Sequence, residues 1–177
     1  MQVRLARLDD AEAIRAIYNR EVTTSTVTFD LVPRSASEQR AWLQARSGAH
    51  AAVVAAAGDG QVVGFGSLSP YRDRPAYRTT VEDSIYVHHD HRGSGVGSVL
   101  LEELLVVAAG HGFHTVIARI VGHHQASIAL HRRLGFALVG VEREVGRKFG
   151  RWLDVAVMQR LLDGEQREPG PNRPAAD

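Results

Sequence analysis

The sequence predicts an α/β domain: one twisted, mixed sheet with helices on both faces. Two β-rich segments, Ala51–Ala57 and Gln61–Ser69, flank Gly58-Asp59-Gly60, a turn that closes an antiparallel hairpin. From Arg78 to Val121 a strand, a glycine-rich turn, an apolar-striped helix and a second strand follow one another. This is the order of a parallel βαβ unit. Two further strand-like segments then form a second hairpin. Parallel and antiparallel pairs must therefore share one sheet.

Gln2–Arg7 alternates polar and apolar residues, as a half-buried strand does. Asp9 or Asp10 caps a helix whose apolar stripe is Ala13, Ile14, Ile17 and Tyr18. Thr23–Phe29 is β-branched and polar, with Pro33 soon after, and is expected to be irregular. Ser37 starts a second helix with Ala41, Trp42 and Ala45 toward the core. After the hairpin, the loop Pro70–Tyr77 leads into the strand Arg78–His88. Val96, Val99, Leu100, Leu104 and Val107 then recur at helical spacing until Gly110 and Gly112 stop the helix. His114–Val121 is a largely apolar strand, and Ala126–Leu134 a short helix ended by Gly135. Strands at about Ala137–Val145 and Trp152–Leu161 complete the order β-α-α-β-β-β-α-β-α-β-β. Residues 1–162 are expected to form the domain, and residues 163–177, polar and proline-rich, a disordered tail.

A chain of 177 residues suits one domain with a sizeable core. Its 21 Lys and Arg against 20 Asp and Glu leave a net charge of +1, which gives no reason to expect nucleic acid or an anionic membrane as partner. The absence of cysteine excludes disulfides, thiolate metal ligands and a cysteine nucleophile. No signal peptide precedes the first strand and no apolar run approaches membrane-spanning length, so a cytoplasmic location is expected.

The chemistry concentrates between Ser84 and Leu105. There Ile85-Tyr86-Val87 leads through His88-His89-Asp90-His91 to Arg92-Gly93-Ser94-Gly95-Val96-Gly97-Ser98 and a helix. Alternate glycines clear side chains from the backbone, and the amides of a first helical turn favour an anion. Arg92 adds a positive charge at the entrance. No Gly-Lys-Ser/Thr closes the loop as in a nucleotide-binding P-loop, and no acidic residue follows at the dinucleotide-binding spacing.

Arg-Gly-x-Gly-x-Gly instead resembles the pyrophosphate loop of the GNAT superfamily of acyl-CoA N-acetyltransferases, and the order of elements matches that fold. Several blocks further resemble phosphinothricin and methionine sulfoximine acetyltransferases: Thr24–Phe29, Thr80–Val87, Ser127–Phe136 and Gly146–Asp154. The resemblance implies acetyl transfer from acetyl-CoA to the α-amine of a glutamate-like amino acid by direct attack. It also implies that the strand carrying Ile85, Tyr86 and Val87 splays from its neighbour and frees backbone groups for the pantetheine arm. The pyrophosphate would rest on Arg92, Gly93, Ser94, Gly95, Val96, Gly97 and Ser98, with Arg133 also on the CoA. A homodimer is expected, with Lys148–Trp152 near the interface.

Glu82 is the expected general base, its side chain on the face of Ser84 and Tyr86; Asp83 faces the other way and is the weaker candidate. An exposed strand glutamate or an arginine partner is the plain alternative for Glu82. His131 stands where many of these enzymes carry a tyrosine that protonates the departing thiolate; imidazole can donate there or assist amine deprotonation. It serves equally as a packed helix histidine, and its role stays open. His124 takes the place of an asparagine that often binds pantetheine. Arg72, Arg74 and Arg78 offer guanidinium forks for an anionic substrate, Tyr77 and Phe29 can cover its aliphatic part, and Lys148 belongs to the same expected substrate set. Core packing explains Phe29 equally well. The histidines at 88, 89, 91, 123 and 124 match no zinc spacing, and no metal is expected. Two other functions compete: acetylation of a different amine (a protein N-terminus, polyamine or aminoglycoside) and a non-catalytic acyl-CoA sensor.

Overall fold

Strands β1 (Gln2–Leu5), β2 (Ala52–Ala56), β3 (Val62–Pro70), β4 (Thr80–Val87), β5 (Thr115–Val121), β6 (Ala137–Lys148) and β7 (Arg151–Leu161) form one sheet. Their order is β1-β2-β3-β4-β5-β7-β6 in the computed structural model, which describes residues 1–122 and 124–162. The expected disordered tail and His123 lie outside the described residues. Only β4 and β5 run parallel; every other neighbouring pair is antiparallel. Helices α1 (Ala11–Thr24) and α2 (Ala36–Gln44) cover one face, α3 (Val96–Gly110) and α4 (Gln125–Arg133) the other.

The two faces follow from strand alternation. On β2, Val53 and Ala55 join the α3 core while Ala52 and Val54 join the α1 core. Gly64 and Gly66 let α3 lie close on β3, since a Cβ there would stand 2.8 Å from Val96 and 2.9 Å from Leu104. On the α1 face, Phe65 stacks on Tyr86 with ring centroids 5.1 Å apart, and Tyr18 meets Tyr86 edge-on.

Several local expectations are corrected. Helix α1 runs through Thr24 into the segment expected to be irregular, because Val22 stays in its buried stripe. Helix α2 begins at Ala36, one residue before the expected Ser37: Ser35 caps it and Glu38 reaches back to the Ser35 amide. Its buried residues are Gln39 and Leu43, whereas Ala41 and Ala45 are exposed and Trp42 half-buried. Trp42 does face the core, meeting Phe65 edge-on with centroids 6.1 Å apart, and also carries the Arg46 guanidinium 3.8 Å from its ring centroid. Along α3, Leu101, Leu105 and Ala108 are buried and Val99 and Val107 only half-buried, so the stripe is rotated from the expected one. Strand β6 continues to Lys148, and Phe149-Gly150, both at positive φ, form a two-residue turn into β7.

Candidate active site

Pairing between β4 and β5 stops partway along both strands. Thr80–Asp83 pairs with Thr115–Ala118, after which Ser84–Val87 pairs only with β3 and Arg119–Val121 only with β7. The parallel strands thus part at their carboxyl ends, where open α/β sheets hold ligands. A cavity of about 430 Å³ fills the wedge, walled by Ser84–Val87, Ala118–Val121, the glycine loop and α4.

The loop earns its glycines in two ways. Gly93 and Gly95 have φ of 77° and 87°, a left-handed backbone that other residues adopt at a cost. Gly97 lies inside α3, and a Cβ there would come within 3.1 Å of Leu130 on α4. Two glycines therefore shape the turn and the third seats α4. The first amides of α3 have no acceptor in their own helix, so an anion at the cavity mouth meets donors. Ser98 accepts a hydrogen bond from Arg133 at 2.8 Å, which places a second guanidinium on this wall.

Arg92 also lines the cavity, but its guanidinium pairs with Glu21 of α1. Glu21 is buried, accepts from the Ser25 hydroxyl at 2.7 Å, and was not anticipated. Its position supplies the signal: Glu21 follows Ile14, Ile17 and Tyr18 at helical spacing, a carboxylate in an apolar stripe.

Asp83 and His131 meet inside the wedge. His131 Nε2 lies 3.0 Å from Asp83 Oδ2, and Nδ1 lies 2.8 Å from the Ser127 carbonyl, with both side chains almost wholly buried. Two acceptors on one imidazole require two N–H donors. Burial works against the charged ring, but the Asp83 hydrogen bond and charge and the Ser127 carbonyl outweigh it and raise its pKa. Asp83 Oδ1 is buried with no hydrogen-bond partner, in a residue that lines the cavity.

Glu82 points to the opposite face, with Ser84 and Tyr86. Burial pushes its carboxyl up, Arg119 pulls it back, and the charges of Asp83 and Glu142 add to the rise. Arg119 pairs with Glu142 and borders both the wedge and a second cavity of about 320 Å³ beside Tyr71, Arg72 and Val141. The sheet thus carries adjacent carboxylates on opposite faces: Asp83 lines the wedge toward α4, whereas Glu82 lines neither cavity and lies on the other face, within the field of Arg119.

Of the expected substrate residues, only Arg72 borders that second cavity, its guanidinium near the Tyr71 and Tyr77 rings. Arg74 and Arg78 are exposed and line neither cavity. Phe29 is 40% exposed and lies on Gly146, where a Cβ would stand 2.4 Å from its ring. Lys148 is buried and donates to the Thr28 carbonyl at 2.9 Å, which ties β6 to the segment bearing Phe29; burial lowers its pKa. His124 caps α4 and lines the wedge.

Residues 12–136 match the model of the Acetyltransferase (GNAT) family. A methionine sulfoximine/methionine sulfone acetyltransferase of Pseudomonas paraeruginosa is 40% identical over 94% of this chain and 98% of its own length. A phosphinothricin N-acetyltransferase of Alcaligenes faecalis is 41% identical over 91% of this chain and 82% of its own. Among solved structures, a phosphinothricin acetyltransferase from Sinorhizobium meliloti in complex with acetyl-CoA superposes with a TM-score of 0.87. It is 42% identical, covering 90% of this chain and 87% of that one.

Proposed function

For this chain, which belongs to the GNAT acetyltransferase family and is an N-acetyltransferase, we propose that acetyl-CoA and a small glutamate-like amino acid meet through the wedge from opposite faces. The acceptors are methionine sulfoximine, methionine sulfone and phosphinothricin, as the relatives' names suggest. The parted end of β4 and β5 carries this reading, since the sheet opens just beyond Glu82 and Asp83, whose side chains face opposite ways.

The pyrophosphate lies on Arg92–Ser98 with Arg133 beside it, and the pantetheine arm runs along Ile85, Tyr86 and Val87 toward the wedge, past His124. Their free backbone groups polarise the thioester carbonyl and meet the oxyanion. On the other face Glu82 takes the proton of the substrate ammonium, directly or through a water; burial raises its pKa and so makes it a stronger base than an ordinary glutamate. The amine attacks the thioester carbon and an N–C bond forms; collapse breaks the C–S bond, and the second proton lost from nitrogen passes to the thiolate, which leaves as the thiol of CoA. His131, kept protonated by Asp83 and Ser127, supplies the positive charge that meets the departing thiolate. Arg72 is the guanidinium best placed for the substrate's acidic end, and Phe29 for its aliphatic stem; Lys148 holds Phe29 in place.

A homodimer and a cytoplasmic location complete the proposal, together with phosphinothricin resistance in cells that express the protein. The edge strand supports the dimer: Leu138, Val139, Val141, Phe149 and Trp152 are all at least half exposed on β6, β7 and their turn. Among the described residues no helix is long and apolar enough to cross a membrane. Sedimentation and cell fractionation test these two points.

The reaction is tested by following thiol release from acetyl-CoA with each of the three acceptors. Acceptor-dependent release with at least one is expected; no release with any of them overturns the substrate assignment.

A further inference from the structure

The turn His89–His91 lies between β4 and the glycine loop, and three of the four residues from His88 to His91 are histidines. In a 3₁₀ turn, side chains three apart eclipse, so His91 falls over His88, with ring centroids 5.7 Å apart. The His88 and His89 rings lie 4.3 Å apart at a tilt of 34°. Asp90 stands between them: Oδ2 is 3.8 Å from His88 Nδ1, and Oδ1 is 3.4 Å from His89 Nε2. One nitrogen from each of these two rings and one Asp90 oxygen all lie within 4.8 Å of one another. His89 Nδ1, moreover, is buried without a hydrogen-bond partner.

These separations are those of a metal coordination shell slightly opened. With bonds of about 2.0–2.2 Å, two ligand atoms on a tetrahedral ion stand roughly 3.3–3.6 Å apart. Two imidazoles and one carboxylate favour zinc, nickel or copper over magnesium or calcium. We propose that His88, His89 and Asp90 bind one divalent transition-metal ion, with water or His91 completing its shell. No zinc spacing is visible in the sequence because a tight turn, rather than a helix face or a hairpin, gathers the ligands. The ion cross-links the turn that delivers Arg92 to the cavity mouth, and His91 already lines that cavity. The acetyl-transfer reading plays no part in this inference.

The test is titration of the chelator-treated full chain with Cu²⁺ and Zn²⁺, read by copper paramagnetic resonance and by calorimetry. One equivalent is expected, with hyperfine coupling to at least two imidazole nitrogens. His89→Ala and the exposed, conservative Asp90→Asn should each weaken binding by about tenfold or more. His50→Ala and His111→Ala, which lie outside the His88–His91 turn, should leave it unchanged. Circular dichroism of each variant separates loss of ligand from loss of fold. Binding that neither His89→Ala nor Asp90→Asn weakens, or no equivalent bound at all, overturns the proposal; the first result marks an adventitious ion only.

Discussion

Asp83 and His131 come from elements 48 residues apart yet meet at 3.0 Å in the floor of the wedge, each almost fully withdrawn from solvent. The parting of β4 from β5 begins at Asp83 itself, so the pair sits where the sheet opens.

Because His131 is raised in the folded state, the pair's stabilisation is fully present below the unfolded histidine pKa of about 6.5. It is lost as pH rises through the higher folded value. Asp83→Asn should remove that pH dependence and drop the His131 titration seen by NMR, because burial then acts with little opposition. Removing one partner of a buried pair costs about 3–5 kcal/mol, so a lower midpoint in denaturant should accompany it. An unmoved His131 titration in Asp83→Asn would contradict the pairing.

Glu82→Gln should cut turnover by about 10²–10⁴-fold and leave CoA affinity, measured by calorimetry, unchanged. In the parent enzyme, activity should fall as pH drops through the Glu82 pKa, with the acid limb above the 4.5 of an ordinary glutamate. Full turnover in the variant removes Glu82 as base.

Gly95→Ala has open space for its methyl group but a φ of 87°, so strain rather than collision costs it roughly 1–2 kcal/mol. The KM for acetyl-CoA should rise more than kcat falls. Gly97→Ala, by contrast, presses on Leu130 and should disturb the helix that holds His131, lowering kcat as well. Identical kinetic changes in the two variants would refute the division of roles.

Gly146→Ala places a methyl group where the Phe29 ring now lies and must displace that ring. The KM for the amino acid should increase while that for acetyl-CoA holds. Phe29→Ala should do the same without straining β6, and an unaffected acceptor KM in both removes Phe29 from the substrate pocket.

Much of this was legible in the sequence because the signals were local. Gly58-Asp59-Gly60 closes its hairpin, the glycine loop opens α3, and alternation put Glu82 on the face of Tyr86. The face of α2 was only partly legible: Trp42 does reach the core, but Gln39 and Leu43 are buried by packing against α1 while Ala41 and Ala45 are exposed. The partners of Arg92 and His131 were also hidden. Glu21 reaches Arg92 across 71 positions and Asp83 reaches His131 across 48, distances that no local pattern encodes. Arginine density in Pro70–Arg78 overstated that loop's part in the site, because only Arg72 is turned toward a cavity.

The most direct test is a crystal structure with a non-hydrolysable acetyl-CoA analogue and methionine sulfoximine bound together. The pyrophosphate should lie on Arg92–Ser98, the carbonyl between Ser84–Val87 and Arg119–Val121, and the amine within reach of Glu82 on the opposite face. An amine that enters from the Asp83 and His131 side, or a CoA bound outside the wedge, would contradict the meeting of donor and acceptor through the sheet.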